Sequence, residues 1–235
     1  MNRSNDIVFA DRKDAGEQLG RFLTGRYKNA DPLVLGVPRG GLEVAYYVAK
    51  CLETDLAMVI SRKLPVPGHP EVGFGAIAED LSVYVSSRYK NALEPEKIGG
   101  IIDEQTDEVN RRIRLYKSGK PLPDMQGRTV IIVDDGIATG VTLVPVLRLC
   151  RKRGARKVVI AVPVSGNNYD GHLNQADALE ILVMPEWFYA VGQVYASFRD
   201  LTDEELQAIV RKGSYLRSGW EFVRSLQGQE HISDP

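Results

Sequence analysis

The sequence predicts an α/β fold with a doubly wound, mainly parallel sheet. Short apolar runs alternate with segments of helical spacing along most of the chain, a pattern that favours right-handed crossovers between parallel strands. Residues 129–133 form a continuous apolar run rich in β-branched side chains, which is typical of a strand covered on both faces. The chain has 235 residues, and we expect a single domain over residues 1–226.

The first half of the chain predicts a helix, a strand, a second helix and a second strand. These elements cover residues 11–23, 32–37, 42–52 and 56–60. Residues 62–75 are dense in Pro and Gly, which predicts a mobile loop. Strand-like pieces follow at residues 74–78 and 82–85. We therefore expect a flexible loop insertion after the second strand.

The second half begins with a long charged helix at residues 95–116. Its expected buried positions are Ile98, Ile101, Ile102, Val109, Ile113 and Leu115. The predicted strands and the helix that follow cover residues 129–133, 142–153, 157–162 and 179–184. Thr202 and Glu205 have the spacing of a capping box, which predicts the start of another helix. We expect a small C-terminal cap at about residues 185–226 and a disordered tail at 227–235.

The composition narrows the classes of partner. Thirty basic and 31 acidic residues give a formal net charge of −1, so nucleic acid is not the expected partner. No apolar run approaches the ~18 residues of a membrane span. The two cysteines, Cys51 and Cys150, lie in apolar helical stretches and are expected to be buried thiols in a reducing compartment. Together these features predict a cytoplasmic protein without a membrane partner.

Two adjacent acids and a short loop follow the buried strand at residues 129–133. Asp134 and Asp135 come at its carboxyl end, where open α/β sheets bind ligands. Residues 136–142 lead into a helix, so free backbone N–H groups and the positive end of the helix dipole converge. That geometry binds a phosphate dianion, whereas paired carboxylates need a donating partner such as a vicinal diol or a hydrated metal ion. A ribose 5-phosphate satisfies both requirements.

Residues 130–142, VIIVDDGIATGVT, resemble the phosphoribosyl-diphosphate loop of the type I phosphoribosyltransferase family. Gly136 departs from the family pattern, in which an aliphatic residue or Ser is usual. The resemblance implies that Asp134 and Asp135 bind the ribose hydroxyls and serve catalysis, and that the loop binds the 5-phosphate. The loop residues expected to contact substrate are Gly136, Ile137, Ala138, Thr139, Gly140, Val141 and Thr142. The two acids are also the expected Mg²⁺ site, either directly or through water.

A second turn, Pro38-Arg39-Gly40-Gly41, lies between an earlier predicted strand and its helix. Glycine lets a backbone approach a diphosphate closely, and Arg supplies positive charge. Taken alone, the motif also fits a plain tight turn. In a chain with a phosphoribosyl loop it resembles the pyrophosphate loop of the family, which implies substrate contacts from Arg39, Gly40 and Gly41.

Arg62 and Lys63 open the predicted mobile loop. A flexible loop closes over the diphosphate in the family, and this pair resembles the orotate and adenine members. Breaking the anomeric C–O bond puts negative charge on the leaving diphosphate, which cations stabilise. The resemblance therefore implies a catalytic role for Arg62 and Lys63, and the alternative is that both are solvated surface charges.

The aromatic segment at residues 185–192 faintly resembles the C-terminal part of the hypoxanthine-guanine members, where an aromatic side chain stacks on the purine. The spacing differs, and the acid that helps to hold magnesium there is missing. The resemblance implies that Trp187 or Phe188 stacks on a base, and the alternative is ordinary core packing.

These motifs predict Mg²⁺-dependent transfer of a phosphoribosyl group from phosphoribosyl diphosphate to a nitrogenous acceptor, a nucleobase, with release of diphosphate. Family members are often dimers, so the resemblance is compatible with a homodimer. One alternative is a non-catalytic regulator that binds phosphoribosyl diphosphate or a nucleotide on the same fold. Another is a phosphosugar hydrolase. The acceptor stays open, because loops with weak resemblance read the base.

Overall fold

A computed structural model describes residues 8–89, 92–213 and 216 of the chain. Its helices and strands, in chain order, are α1 (Arg12–Tyr27), β1 (Leu33–Gly36), α2 (Gly40–Leu52), β2 (Asp55–Met58), β3 (Ser61–Val66), β4 (His69–Ala78), β5 (Val83–Val85), α3 (Pro95–Lys117), β6 (Thr129–Val133), α4 (Leu143–Lys152), β7 (Lys157–Val164), β8 (Ala178–Val183) and α5 (Asp203–Gly213). The predicted tail at residues 227–235 lies outside the described residues.

Five parallel strands form the central sheet in the order β2-β1-β6-β7-β8. All five residues of β6 are buried, which confirms that this strand is covered on both faces. In the register of β1 and β6, Gly36 pairs with Val133. The two strands therefore end side by side, and the turn after β1 reaches the acids that follow β6.

Helices cover both faces of this sheet, which confirms the doubly wound α/β fold. On one face α1 and α2 pack their apolar side chains against Val34, Ile131 and Val159. On the other face α4 packs against Ile132 and Ile160. Side chains in a parallel strand alternate between the faces, so each strand contributes to both cores.

The expectation of a loop at residues 62–75 was wrong. Apart from the turn at residues 67–68, these residues belong to β3 and β4, which form an antiparallel three-stranded sheet with β5 in the order β3-β4-β5. Pro65 is accommodated because β3 is an edge strand whose register shifts at that residue. Gly75 favours the pairing, since a Cβ there would overlap the Tyr84 carbonyl oxygen of β5.

The flanking helices confirm some predicted details and correct others. Thr202 and Glu205 form the predicted capping box at the start of α5, with each side chain accepting from the other residue's amide at 3.2 and 3.0 Å. In α3, Val109 is buried as expected, but Leu115 is exposed because it lies on the face turned away from the core. Cys150 is buried, whereas Cys51 is only half-buried at the surface of α2. Among the described residues, no helix combines the length and apolar character needed to cross a membrane.

Candidate functional site

The loop between β6 and α4 presents a row of unpaired backbone amides. Its first part is anchored to β7, because the Ile137 amide donates to the Val164 carbonyl oxygen at 2.9 Å. Gly140 adopts a left-handed backbone with φ +74°, a conformation that glycine accepts without steric cost. Within the described part of the chain, the amides of residues 138–142 donate to no other group. These amides, at the positive end of α4, can receive an anion.

The carbonyl groups of this loop are fixed on its other side. The Thr139 carbonyl oxygen accepts from the Asp170 amide at 2.8 Å, and the Thr142 carbonyl oxygen accepts from Ser61 Oγ at 2.8 Å. Asp170 is in turn held by Tyr84, whose hydroxyl donates to its carboxylate at 2.5 Å. Because Ser61 and Tyr84 belong to the three-stranded sheet, that sheet supports the loop directly.

Asp134 and Asp135 lie half-buried between the loop and α2. Asp135 Oδ2 accepts from Arg12 Nε at 2.8 Å, and the Asp135 carbonyl oxygen accepts from the Tyr195 hydroxyl at 2.7 Å. Asp134 Oδ1 accepts from the Asp135 amide at 2.9 Å. Asp135 is therefore fixed by contacts from distant parts of the chain, whereas the Asp134 carboxylate forms no ion pair among the described residues.

The pair of acids is electrostatically strained. Burial, and then the negative charge of Asp135, raise the pKa of Asp134 well above its usual value. Burial also raises the pKa of Asp135, while the positive charge of Arg12 acts in the opposite direction. A ligand that donates hydrogen bonds or carries positive charge would relieve this repulsion, so the site favours hydroxyl groups or a cation.

The turn after β1 lies directly against the acids. The Pro38–Arg39 peptide bond is cis, and Gly40 and Gly41 begin α2. A Cβ at Gly40 would overlap Asp135 Oδ2, and one at Gly41 would lie 2.5 Å from Asp134 Oδ1. The glycines therefore allow α2 to approach the acids as closely as it does.

Arg39 lies in the same turn, but its side chain extends toward residues 185–213, which we call the C-terminal segment. Its guanidinium donates to the Leu201 carbonyl oxygen at 2.6 Å and pairs with Asp203 at 2.8 Å. The structure thus brings the backbone of the predicted diphosphate turn to the acids and places the Arg39 guanidinium beside α5. Its contact with diphosphate stays a prediction.

The two cations of β3 lie on opposite faces of their strand. Lys63 faces the loop, because its side chain and that of Val141, a loop residue, both lie next to Gly73. A Cβ at Gly73 would be 2.6 Å from Lys63 Cγ and 3.2 Å from Val141 Cγ2. Its ammonium donates to the Glu71 carbonyl oxygen at 2.5 Å. Arg62 points toward α3, where its Nε donates to Gln105 at 3.2 Å. The structure brings Lys63, but not Arg62, toward the loop.

The aromatic segment approaches the site through a different residue from those predicted. Trp187 is 69% exposed, and Phe188 packs beside Gly166 and against the apolar cluster that contains Val194 and Tyr195. Val191 lies over Gly136, where a Cβ would come within 2.6 Å of Val191 Cγ1. The unusual glycine at position 136 thus makes room for the C-terminal segment. Base stacking by Trp187 or Phe188 stays a prediction.

Arg12 and Tyr195 are site residues that the sequence analysis missed. Arg12 lies one turn before Ala15 on the buried stripe of α1 that continues through Leu19 and Leu23. A charged residue on an apolar stripe needs a buried partner, so this position was a usable signal. Nothing in the sequence around Tyr195 distinguishes its hydroxyl from that of an ordinary core tyrosine.

The chain is similar in sequence to a known protein family and in both sequence and fold to a solved structure. A family model described as phosphoribosyl transferase domain matches residues 11–199. A Mycobacterium tuberculosis protein with the provisional name phosphoribosyl transferase is 38% identical over 206 residues, which cover 86% of this chain and 46% of that protein. The crystal structure of TT1426 from Thermus thermophilus is 35% identical with a TM-score of 0.72, covering 86% of this chain and 97% of that one.

The extent of these matches defines what they show. The chain spans about half the length of the mycobacterial relative, whereas it accounts for nearly all of the Thermus protein. The family match includes β1, Asp134 and Asp135, the loop between β6 and α4, and Arg12. The resemblance first found in residues 130–142 is therefore confirmed over most of the chain, which belongs to the phosphoribosyl transferase domain family.

Proposed function

We propose that this protein transfers a 5-phosphoribosyl group from phosphoribosyl diphosphate to a nitrogenous acceptor, a nucleobase, and releases diphosphate. The observation that carries the proposal is the row of unpaired amides at residues 138–142 beside Asp134 and Asp135. The amides suit the 5-phosphate, and the carboxylates suit the ribose hydroxyls that donate to them. The adjacent turn at Gly40 and Gly41 suits a diphosphate at close range to the backbone.

In the proposed reaction the anomeric C–O bond breaks and its electron pair leaves with diphosphate. The ribose then carries positive charge, which the two nearby carboxylates stabilise, as in glycoside cleavage. Lys63 faces the loop and can compensate charge on the departing diphosphate. The acceptor nitrogen forms a bond to the anomeric carbon and loses its proton to solvent, so the products are a nucleotide, diphosphate and a proton.

The donor set fits a magnesium ion that is held mainly by substrate and water. Within residues 8–89, 92–213 and 216, no three His, Cys, Asp or Glu side chains form a metal cluster. Mg²⁺ keeps several waters and commonly takes only one or two carboxylates from a protein. Asp134 is the better placed of the two acids, because Asp135 already pairs with the Arg12 cation, whereas the Asp134 carboxylate pairs with no cation among the described residues. Bound Mg²⁺ would neutralise charge on the diphosphate.

Diphosphate release in the presence of Mg²⁺, phosphoribosyl diphosphate and a panel of purine and pyrimidine bases tests the proposal. Release that requires a base, with formation of the matching nucleotide, supports transfer. Release without a base indicates a hydrolase. Binding of phosphoribosyl diphosphate without turnover indicates a regulator, and the absence of binding refutes the whole assignment.

Two substitutions test whether the reaction takes place at this site. We expect Asp135→Asn to raise the KM for phosphoribosyl diphosphate, because it removes an acceptor for the ribose hydroxyls. Lys63→Ala should lower kcat more than it raises KM, since its contact strengthens as diphosphate leaves. Lys152→Ala is the matched control, because that side chain is 74% exposed and pairs with Asp80 outside the site. Equal kinetics for Lys63→Ala and the control would exclude Lys63 from the reaction.

A further inference from the structure

We propose that Arg12 is a positioning residue that fixes Asp135 and joins the C-terminal segment to it. This inference rests on the proposed function, because it assigns Arg12 a part in binding phosphoribosyl diphosphate. Arg12 is the first residue of α1, and its side chain is only 6% exposed. A cation is buried to this extent only when its surroundings supply specific partners.

The guanidinium of Arg12 holds two different parts of the chain at once. Its Nε donates to Asp135 Oδ2 at 2.8 Å, and its Nη1 donates to the Arg199 carbonyl oxygen at 2.6 Å. Its central carbon lies 3.9 Å from the centre of the Phe198 ring. A planar guanidinium can make these contacts together because its donors diverge in fixed directions. A lysine ammonium at the same position has no such geometry.

The packing around Arg12 also fixes the orientation of the Asp135 carboxylate. Gly40 lies against both residues, since a Cβ there would overlap Arg12 Nε and Asp135 Oδ2. The Tyr195 hydroxyl donates to the Asp135 carbonyl oxygen at 2.7 Å, and the Tyr195 ring lies 5.0 Å from the Phe198 ring. Asp135 is thus held by α1, by the start of α2 and by the C-terminal segment.

This arrangement gives the two acids different tasks. Arg12 compensates the negative charge of the Asp135 carboxylate and fixes its orientation. The Asp134 carboxylate pairs with no cation in the described part of the chain. A ribose that meets a pre-oriented Asp135 has less side-chain motion to restrict on binding. Because Arg12 also holds residues 198–199, a change at Arg12 reaches the C-terminal segment, in which the aromatic residues lie.

The test compares Arg12→Ala and Arg12→Lys with wild type, and uses Arg21→Ala as the control. Arg21 lies on the same helix, but its side chain is 64% exposed and pairs with Glu17 one turn away. We expect Arg12→Ala to raise the KM for phosphoribosyl diphosphate by roughly 10- to 100-fold, the range that misplacement of a binding group produces. Arg12→Lys should restore folding stability but little of the KM, because lysine supplies charge without the two directed bonds.

Hydrogen exchange of residues 195–201 supplies a readout that does not depend on turnover. Faster exchange there in Arg12→Ala, together with the raised KM, supports the proposal. The proposal is overturned if folded Arg12→Ala keeps the wild-type KM. It is also overturned if Arg12→Lys has the wild-type KM. A wild-type protein that neither binds nor turns over phosphoribosyl diphosphate instead refutes the proposed function, and exchange at 195–201 then decides alone whether Arg12 holds the segment.

Discussion

Gly41→Ala should separate α2 from the acid pair and destabilise the protein. The new Cβ would lie 2.7 Å from the Asp134 Cα and 3.0 Å from the Val133 carbonyl oxygen. Both are backbone atoms at the end of a fully buried strand, so neither can turn aside as a flexible side chain would. Overpacking of this kind costs ~1–3 kcal/mol. For a chain of this length, about 2 kcal/mol corresponds to a fall of roughly 4–8 °C in Tm.

Thermal unfolding of Gly41→Ala and of Gly100→Ala measures this effect against a matched control. Gly100 lies inside α3, and a Cβ there would meet nothing within 4 Å. The control should gain roughly 0.5–1 kcal/mol, because alanine is the better helix former. Titration with phosphoribosyl diphosphate should also show weaker binding to Gly41→Ala. A Gly41→Ala protein as stable as the control would show that α2 can move away from β6 without cost, which would refute the reasoning.

Three further predictions concern buried polar groups. Burial and the bond to a neighbouring carboxylate raise the pKa of Tyr84 to about 12, so stability should be lost as pH rises from about 10 to about 12. Tyr84→Phe should reduce that alkaline loss in urea unfolding at a series of pH values, and should cost ~1 kcal/mol at neutral pH. Burial raises the pKa of the Cys150 thiol to about 12, so iodoacetamide should modify Cys150 in the folded protein far more slowly than in urea, as mass spectrometry can follow. Glu79 and Lys117 form a 2.6 Å ion pair with side chains only 7% and 8% exposed. Glu79→Gln should therefore cost ~3–5 kcal/mol, and adding Lys117→Met should recover much of it, whereas no recovery would mean that the pair is not the cause.

The parts of the site that are contiguous in sequence could be predicted, because their geometry follows from local rules. A buried strand that ends in Asp134 and Asp135 and leads through small residues into a helix determines where the acids and amides lie. Arg12 and Tyr195 could not be placed in this way. They are 123 and 60 residues from Asp135, and only the packing of α1 and the C-terminal segment brings them there.

The central strands and their mainly parallel arrangement were also predictable in outline, since continuous apolar runs alternate with segments of helical spacing. Of the three-stranded sheet, β5 and the end of β4 were predicted as strand-like pieces at residues 82–85 and 74–78. The strand β3 and the start of β4 were not, because Pro and Gly are ordinarily loop residues. Here Pro65 lies at an edge and Gly75 at a close strand contact, two positions where tertiary pairing tolerates or requires them. Local composition does not reveal such positions without knowledge of the partner strand.

The support that Ser61 and Tyr84 give to the loop has a consequence for how the ends of a substrate communicate. Lys63 lies two residues after Ser61 on β3, so the lysine that we propose to compensate charge on the diphosphate is connected through this strand to the Thr142 carbonyl oxygen behind the amides. Occupation of the amides would then reduce the mobility of the strand that bears the lysine, and neutralising the lysine would loosen the amides in return. Such linkage is reciprocal by thermodynamic necessity. Inorganic phosphate bound at the loop should therefore change the affinity for a second anion beside Lys63, and that anion should change the affinity for phosphate by the same factor.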